Sequence, residues 1–265
     1  MSYIKANNVW MEYGKHVVLE RLNLTVNRGE FCTIVGTSGC GKTTFLRMLL
    51  GEETPTRGQI ILDGNPLPAE PDEHRGIVFQ RYSVFPHLTV LNNVMLGIEF
   101  ERNRFFGKLF GSKRRQAQAE AMVMIEQVGL TNAKNKFPHE LSGGMQQRLA
   151  IAQSLVKTPR ILLLDEPFGA LDPGIRADMH ELILNLWQKS QLTIFMITHD
   201  LKEGFHLGSR LLVFDKLRND PQAPEAFGAT ITYDLPLASR RNGVLKEIDE
   251  SITETARQQE KHQLV

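Results

Sequence analysis

The chain has 265 residues, enough for one large domain or two small ones, and its hydrophobic content of 42% is typical of a soluble globular protein. Its net charge of +1 supplies no general basic field, which argues against nucleic acid as the main partner. No apolar run approaches the ~20 residues that a membrane span requires. The N-terminus lacks the apolar core of a secretory signal, and Cys32 and Cys40 are not placed for a structural disulfide, so we expect a protein of the reducing cytosol.

The N-terminal region alternates short apolar runs with turns, a pattern that predicts β-strands at residues 3–6, 17–19, 22–26 and 31–35. Tyr13 lies in a turn region between the first two runs. An aromatic ring at this place could stack on a nucleotide base, and the alternative is an ordinary surface or core tyrosine.

A glycine-rich loop follows the fourth strand and precedes an apolar run at 44–50 that predicts a helix ended by Gly51. The loop has the pattern G-x-x-x-x-G-K-T and consists of Gly36, Thr37, Ser38, Gly39, Cys40, Gly41, Lys42 and Thr43. Its small residues let backbone N–H groups converge on phosphate oxygens, and the helix N-terminus adds a positive dipole. Lys42 would reach the β- and γ-phosphates and Thr43 would bind Mg²⁺, so with Thr44 the loop predicts a nucleoside triphosphate site. The strand–loop–helix context disfavours the alternative, a glycine turn with a stray lysine.

Two further strands are predicted at residues 59–64 and 76–80, and the second ends in a polar residue, Gln80. Gln80 could bind Mg²⁺ or position a water molecule, although by itself it is only a glutamine at a strand end. Apolar residues at helical spacing then predict helices at 88–95 and 117–128.

The segment 101–115 between these helices is basic and carries interleaved phenylalanines. Such a segment could touch lipid headgroups or a membrane partner. The alternative, which we favour, is a solvated loop or helix end that a few aromatic residues anchor to the domain.

A second glycine-rich helix start occurs at residues 141–148, which are Leu-Ser-Gly-Gly-Met-Gln-Gln-Arg. Ser142 can cap this helix, and Gly143 and Gly144 leave backbone N–H groups accessible to an anion. A chain with one phosphate-binding loop (P-loop) rarely needs a second anion site. The second site is explained if it binds the nucleotide of another copy of the chain. The alternative is an ordinary helix start.

Two adjacent carboxylates, Asp165 and Glu166, end a run of four apolar residues that predicts a strand buried on both faces. Ligands of open α/β sheets bind at the carboxyl ends of the strands. Asp165 would hold Mg²⁺ directly or through water. The side chain of Glu166 points in a different direction from that of Asp165, because side chains alternate along a strand. Glu166 could therefore act as the general base for an attacking water. A solvated acidic turn is the alternative.

The remaining core elements are a turn at 168–173, an amphipathic helix at 175–189 and buried strands at 192–198 and 211–214. The strand at 192–198 leads directly into His199. A histidine at that end of a sheet could contact a γ-phosphate, although a lone histidine is a weak signal.

The composition changes after residue 215. Residues 219–224 predict a loop and 229–233 an edge strand. Residues 240–261 are highly charged with apolar residues at helical spacing, which predicts a helix that packs on the domain surface or contacts a partner.

Over about residues 3–215, the set and the order of these motifs resemble one family, the ATP-binding subunits of ABC transporters. The loop at 36–43 is similar to the family's Walker A motif, 141–148 to its signature, and 161–166 to its Walker B motif with the catalytic glutamate. Each motif alone is unspecific, whereas the whole series is highly specific.

Single residues of the family also have counterparts in this chain. Gln80 lies where the family has its Q-loop, Asp172 lies in a D-loop-like turn, and His199 matches the switch histidine. Tyr13 lies where the family's aromatic residue stacks on adenine. The resemblance therefore implies catalytic roles for Glu166, His199 and Gln80.

The resemblance implies an α/β fold with a RecA-like P-loop core, an N-terminal antiparallel β-subdomain and a helical subdomain inserted at about 82–158. The ATP-binding domain would span 1–218, and 219–265 would be a short C-terminal extension. Two copies would pair head to tail, so that the Walker A loop of one and Ser142, Gly143 and Gly144 of the other enclose each ATP with its Mg²⁺.

The sequences around 143–148 and 164–172 look most like those of importer ATPases, in particular the nitrate, sulfonate and taurine group. This likeness implies an ATPase on the cytoplasmic face of the cell membrane, peripheral to separate transmembrane permease subunits and served indirectly by a periplasmic or extracellular substrate-binding protein. The motor of an exporter or of lipid trafficking is one alternative. A soluble ABC ATPase of DNA repair or the ribosome is another, although such proteins usually carry two nucleotide domains or a long coiled coil.

The chain departs from the family pattern at two positions, Met145 in the signature and Cys40 in the P-loop. We expect the methionine to be tolerated. Because Cys40 is close to a helix N-terminus, we expect a lowered thiol pKa, inactivation by alkylation and protection by ATP.

Overall fold

A computed structural model describes residues 2–79, 84–102, 109–218, 220, 222–223 and 225–237. Gln80, part of the segment 101–115 and the helix predicted at 240–261 lie outside the described residues. The chain forms two compact units. The first unit consists of Met1–Pro71 and Thr193–Val265, and the second of Asp72–Leu192.

Strands predominate in the N-terminal part of the described chain, three α-helices follow the sixth strand, and strands and helices then alternate one by one up to the ninth strand. The strands are β1 Ser2–Tyr13, β2 His16–Asn27, β3 Phe31–Gly36, β4 Arg57–Leu62, β5 Asn65–Pro66, β6 Arg75–Val78, β7 Ile161–Asp165, β8 Thr193–Ile197, β9 Arg210–Asp215 and β10 Thr230–Pro236. The α-helices are α1 Lys42–Leu50, α2 Val90–Arg102, α3 Gly111–Gln127, α4 Gly143–Leu155, α5 Pro173–Lys189 and α6 Leu201–Leu207. Short 3-10 turns lie at Thr131–Ala133 and Pro138–Glu140.

The first unit contains an antiparallel sheet with the strand order β2-β1-β4-β5. Strand β1 is much longer than the predicted run at 3–6, because polar residues of its outer face interrupt the apolar pattern while Val9 and Met11 continue the buried face. Asn8 has a φ of 47° and lies where the register between β1 and β2 shifts. Such an irregularity within a strand is not visible in the pattern of apolar residues.

The first unit also contains strands β10, β9, β3 and β8, which are neighbours in that order. Strand β3 pairs in parallel with β8 and β9, whereas β10 pairs antiparallel with β9. All five residues of β8 are buried, which agrees with the continuous apolar run of a strand covered on both faces. Phe45 of α1 packs here, with ring centroids 6.3 Å from Phe195 and 5.5 Å from Phe214.

The loop between β9 and β10 returns to strand β2. The Val17 N–H donates to the Glu225 carbonyl, the Ala229 N–H to the Val18 carbonyl, and the Glu20 N–H to the Ala229 carbonyl, each at 2.9 Å. The sequence predicted only a loop and an edge strand here, and this contact with β2 was not predicted because it joins segments about 200 residues apart.

In the second unit, β6 and β7 pair in parallel, and the first four residues of β7 are buried. Helix α2 begins after a loop that the buried side chain of Asn93 holds in place. Its amide donates to the Leu88 carbonyl at 2.8 Å and its oxygen accepts from the Phe85 N–H at 2.8 Å. These bonds explain why the helix begins at Val90 rather than at the predicted residue 88.

The described part of the segment 101–115 is a helix boundary. Helix α3 begins at Gly111, so Lys113, Arg114 and Arg115 are exposed residues of its first turns. Leu109 is buried, and it anchors the start of α3. Among the described residues, no helix is both long and apolar enough to cross a membrane.

Candidate functional site

The glycine-rich loop connects the end of β3 to the start of α1, and its shape requires glycine at both ends. A Cβ on Gly36 would lie 2.2 Å from the Phe214 carbonyl oxygen, and one on Gly41 would lie 2.7 Å from a methyl carbon of Leu19. Both glycines have positive φ, 150° and 86°. Because the N-cap of α1 is Gly41, no side chain of that residue occupies the first N–H groups of the helix, which favours an anion there.

Lys42 places its ammonium group directly on the loop. The side chain is 5% exposed, and Nζ donates to the carbonyls of Gly36 and Thr37 at 2.8 Å each. A buried positive charge that is held by the loop backbone, next to uncapped helix N–H groups, suits a polyphosphate. The residues of the loop therefore fit the predicted triphosphate ligand.

The prediction of a lowered pKa at Cys40 is wrong. Its side chain is 3% exposed, and burial raises the pKa of the thiol, an effect that the nearby Lys42 charge only partly opposes. Burial thus outweighs the helix N-terminus from which a lowered pKa was expected. The sulfur instead fills the loop interior, 3.8 Å from Lys42 Nζ.

Tyr13 ends strand β1 and is 49% exposed. Its hydroxyl donates to the Glu53 carboxylate, which also lies 3.5 Å from Arg47 of α1. Burial raises the pKa of the Tyr13 phenol, and the hydrogen bond and charge of Glu53 raise it further. Glu53 was not predicted as a site residue, because no motif includes it and it follows α1 as one of two adjacent glutamates.

Asp165 and Glu166 lie at the carboxyl end of β7, as predicted. Glu166 has a φ of 48°, a left-handed conformation that costs about 1–3 kcal/mol for a residue other than glycine and that is frequent at functional sites. Among the described residues, no group of three or more His, Cys, Asp or Glu could hold a metal ion. Mg²⁺ needs no such cage, because one or two protein oxygens, phosphate oxygens and waters complete its shell.

Ser142 is the N-cap of α4, and its hydroxyl accepts the Met145 N–H at 3.4 Å. Ser142 and Gly143 are exposed, whereas Gly144 is buried. A Cβ on Gly144 would lie 2.4 Å from Cγ2 of Ile175 in α5. The helix start is therefore an accessible cluster of N–H groups whose second glycine is required by packing.

Asp172 is the N-cap residue of α5, but its side chain makes no capping hydrogen bond, and Pro173 follows at the first helical position. The carboxylate of Asp172 is exposed on the turn before α5. This geometry leaves the side chain available for a contact outside the helix.

His199 is an exposed residue that follows β8. The next residue, Asp200, caps α6 by accepting the Lys202 N–H at 2.8 Å and the Glu203 N–H at 3.3 Å. The sequence analysis did not predict α6, although an aspartate followed three residues later by a glutamate is a capping signature. Buried Glu203 also accepts the Thr198 hydroxyl, which fixes the chain on both sides of His199.

Within each unit, parallel pairing collects the candidate residues at one sheet edge. In the first unit, Ile34 of β3 pairs with Ile197 of β8, so the glycine loop and His199 both follow carboxyl ends at the same edge. In the second unit, Val78 of β6 pairs with Leu164 of β7, so Asp165 ends its strand beside the carboxyl end of β6.

A model of the ABC transporter family matches residues 19–169. The nitrate import ATP-binding protein NrtD of Synechocystis sp. is 41% identical over 223 residues, which cover 84% of this chain and 78% of that protein. The spermidine/putrescine import ATP-binding protein PotA of Bacillus cereus is also 41% identical, over 80% of this chain but only 63% of its own length.

Solved structures show the same fold. The dimeric structure of MJ0796, a bacterial ABC transporter cassette, has a TM-score of 0.72 at 28% identity and covers 89% of this chain and 100% of that one. CbiO1 from Clostridium perfringens has a TM-score of 0.76 at 24% identity, over 98% of this chain and 100% of that one. The RecA-like α/β fold class is confirmed, as are the predicted ATPase activity and the cofactors ATP and Mg²⁺. The chain belongs to the ABC transporter family, as one of its ATP-hydrolysing subunits.

Proposed function

We propose that this chain is the motor subunit of an importer, and that it drives a separate transmembrane permease for a small solute of the nitrate, sulfonate and taurine class. The observation that carries the proposal is the match to a nitrate import ATP-binding protein over 78% of its length. A polyamine import protein is equally identical, but the chain spans only 63% of it. Because this chain spans a larger share of the nitrate import protein than of the polyamine import protein, we favour an oxyanion or organosulfonate over a polyamine as the solute.

Each site residue has a proposed role in hydrolysis. The ATP phosphates bind to the glycine loop, Lys42 and Thr44, with Mg²⁺ held by Thr43, Gln80 and Asp165. Glu166 acts as general base, polarising the attacking water, and His199 contacts the γ-phosphate. The buried Lys42 ammonium and the unusual backbone of Glu166 support these roles.

A second copy of the chain completes the site in this proposal. The exposed start of α4, with Ser142 and Gly143, binds the γ-phosphate that lies in the partner's P-loop, and Asp172 contributes from the adjacent turn. The α4 start and Asp172 are both exposed in a single copy, which supports the proposal. A single chain has one P-loop, so a second anion site is explained if it binds the nucleotide held by the partner. A relative with 28% identity forms a dimer.

The rest of the assembly follows from the importer role. ATP binding closes the pair, hydrolysis opens it, and the permease follows this motion on the cytoplasmic face of the membrane. A periplasmic or extracellular binding protein delivers solute to the permease and contacts this chain only indirectly. We assign 1–218 to the ATP-binding domain, with its helical subdomain at about 82–158, and 219–265 to an extension.

The motor role is tested by ATPase rate against protein concentration, together with the size in solution of Glu166→Gln in ATP. We expect a rate that rises more than linearly and a dimer that forms only with ATP. Full activity of a monomer in which Ser142 is dispensable would contradict the composite site.

The importer role is tested in cells that lack the chain. We expect uptake of labelled nitrate or taurine to fall and to recover with the wild-type chain but not with Lys42→Ala, whereas spermidine uptake stays constant. Membrane association that needs no co-expressed permease would instead favour a soluble ABC ATPase, and loss of efflux would favour an exporter.

A further inference from the structure

The exposed ring of Tyr13 is held by a carboxylate that belongs to none of the motifs. Glu53 is itself largely covered, with 18% of its side chain exposed. One of its oxygens accepts the Tyr13 hydroxyl, and the other faces the Arg47 guanidinium at 3.5 Å. Both oxygens are therefore engaged, one by the aromatic residue and one by the helix of the P-loop.

The chain around Glu53 is fixed by the end of α1. Gly51, with a φ of 91°, donates its N–H to the carbonyls of Arg47 and Met48, and the Glu52 N–H donates to the Arg47 carbonyl at 3.0 Å. This tight cap turns the chain back along the helix and brings Glu53 beside Arg47. The Thr56 N–H then donates to the Trp10 carbonyl of β1 at 2.9 Å, so the short segment is attached to both α1 and β1.

Tyr13 also contacts the beginning of the same helix. The side chain of Thr44 lies near the Tyr13 phenol and partly opposes the rise in the pKa of that phenol. Thr44 lies in the first turn of α1, next to the residues that are proposed to hold the phosphates and Mg²⁺, and Arg47 lies one turn later on the same face. Tyr13 is thus linked through Glu53 to Arg47 of α1, while about half of its surface remains open.

We propose that Glu53 is a positioning residue for nucleotide binding, which orients Tyr13 through its hydroxyl and sets the distance between the adenine platform and the phosphate loop. The inference rests on the proposed stacking role of Tyr13. A tyrosine without this bond turns about its side-chain torsions, and binding must then fix the ring at the expense of affinity. Glu53 does not touch the nucleotide, so its effect depends on the presence of a base.

The test compares Glu53→Ala, Glu53→Gln, Tyr13→Phe and the Tyr13→Phe/Glu53→Ala double variant, with Glu52→Ala as the matched control. Glu52 is the adjacent glutamate, and it is exposed. We expect Glu53→Ala and Tyr13→Phe each to raise the KM for ATP by about three- to tenfold with little change in kcat, which is the range for the loss of one ordinary hydrogen bond. The double variant should be no worse than either single variant, and Glu53→Gln, whose amide oxygen still accepts the hydroxyl, should restore most of the affinity.

Binding of inorganic tripolyphosphate separates positioning from damage to the fold. We expect all five variants to bind it like the wild type, because it has no base. Equal losses for ATP and tripolyphosphate, additive effects in the double variant, or a Glu52→Ala effect as large as that of Glu53→Ala would overturn the inference.

A Tyr13→Ala variant distinguishes failure of this inference from failure of the proposed platform. If Tyr13→Ala weakens ATP binding while Glu53→Ala does not, Tyr13 stacks on the base but Glu53 does not position it. If Tyr13→Ala leaves ATP binding unchanged, the platform itself is absent, and the inference is refuted with it.

Discussion

Two helices of this chain begin at glycine-rich turns, and their first N–H groups differ in side-chain capping and in exposure to solvent. The N-cap of helix α1 is Gly41, which packs closely against the side chain of Leu19. The next residue, Lys42, is buried and places its ammonium group on the loop. Helix α4 starts at Ser142, whose own hydroxyl accepts an N–H, and its first residues face solvent. The first is a phosphate loop whose Gly41 and Lys42 are buried, and the second is a helix start whose Ser142 and Gly143 are exposed to solvent.

The largest expected effect comes from a substitution in the glycine-rich loop before α1. Gly36→Ala places a Cβ 2.2 Å from a backbone oxygen of Phe214 and forces an unfavourable φ. Backbone strain and overpacking together should lower the free energy of unfolding by about 4 kcal/mol and abolish nucleotide binding. Denaturant unfolding and ATP titration measure both effects. Gly174→Ala, where nothing lies within 4 Å, is the control and should leave stability nearly unchanged.

The corresponding change at the second helix should cost less. In Gly144→Ala, the new Cβ meets a side chain, Ile175, rather than backbone, so the neighbour can move. We expect a loss of about 1–2 kcal/mol in the free energy of unfolding. Ile175→Ala in the same chain should recover part of that loss, because it removes the opposing methyl group. Thermal unfolding of the two single variants and the double variant gives the coupling, and simple additivity would show that the two residues do not interact.

Substitutions of Ser142 separate capping from anion binding. Ser142→Ala removes the cap and should lower the free energy of unfolding by about 1 kcal/mol, with a reduced ATPase rate. Ser142→Asp can still cap the helix but repels a phosphate, so we expect wild-type stability and a greater loss of activity. A Ser142→Asp variant that keeps full ATPase activity would argue against the second anion site.

The smallest effect concerns Cys40. Because burial raises its pKa above the ordinary value of 9.0, little thiolate exists near neutral pH. We expect iodoacetamide to modify the native chain far more slowly than a free cysteine, with a rate that still increases above pH 9 as the thiolate forms. Mass spectrometry at several pH values, with Cys40→Ser to assign the site, measures this. Rapid modification at pH 7 would show that the loop interior is open to solvent.

Local rules predicted most elements of the fold and the places of the motifs. The strand run 31–35, the helix that follows it and the carboxyl end of β7 are short-range patterns, and the structure has them within a few residues. Strand β1 was predicted too short, because an antiparallel sheet with one polar face does not produce a continuous apolar run.

What the sequence did not reveal depends on contacts between distant segments. The Tyr13–Glu53 bond joins residues 40 positions apart, and the position of Glu53 is determined by how α1 ends. The pKa of Cys40 likewise follows from burial, which no short pattern contains, whereas the helix N-terminus that suggested the opposite is visible in the sequence.

The strand pairing of β3 has a consequence for synthesis of the chain. The glycine loop is made early, but β3 pairs with β8 and β9, which are translated much later than the loop. A nascent chain therefore leaves the ribosome with a nucleotide motif whose strand β3 has neither of its neighbour strands. We expect the apolar residues of β3 to lack their partner strands until residue 215 has emerged, and the motif to gain its affinity for nucleotide only after that point.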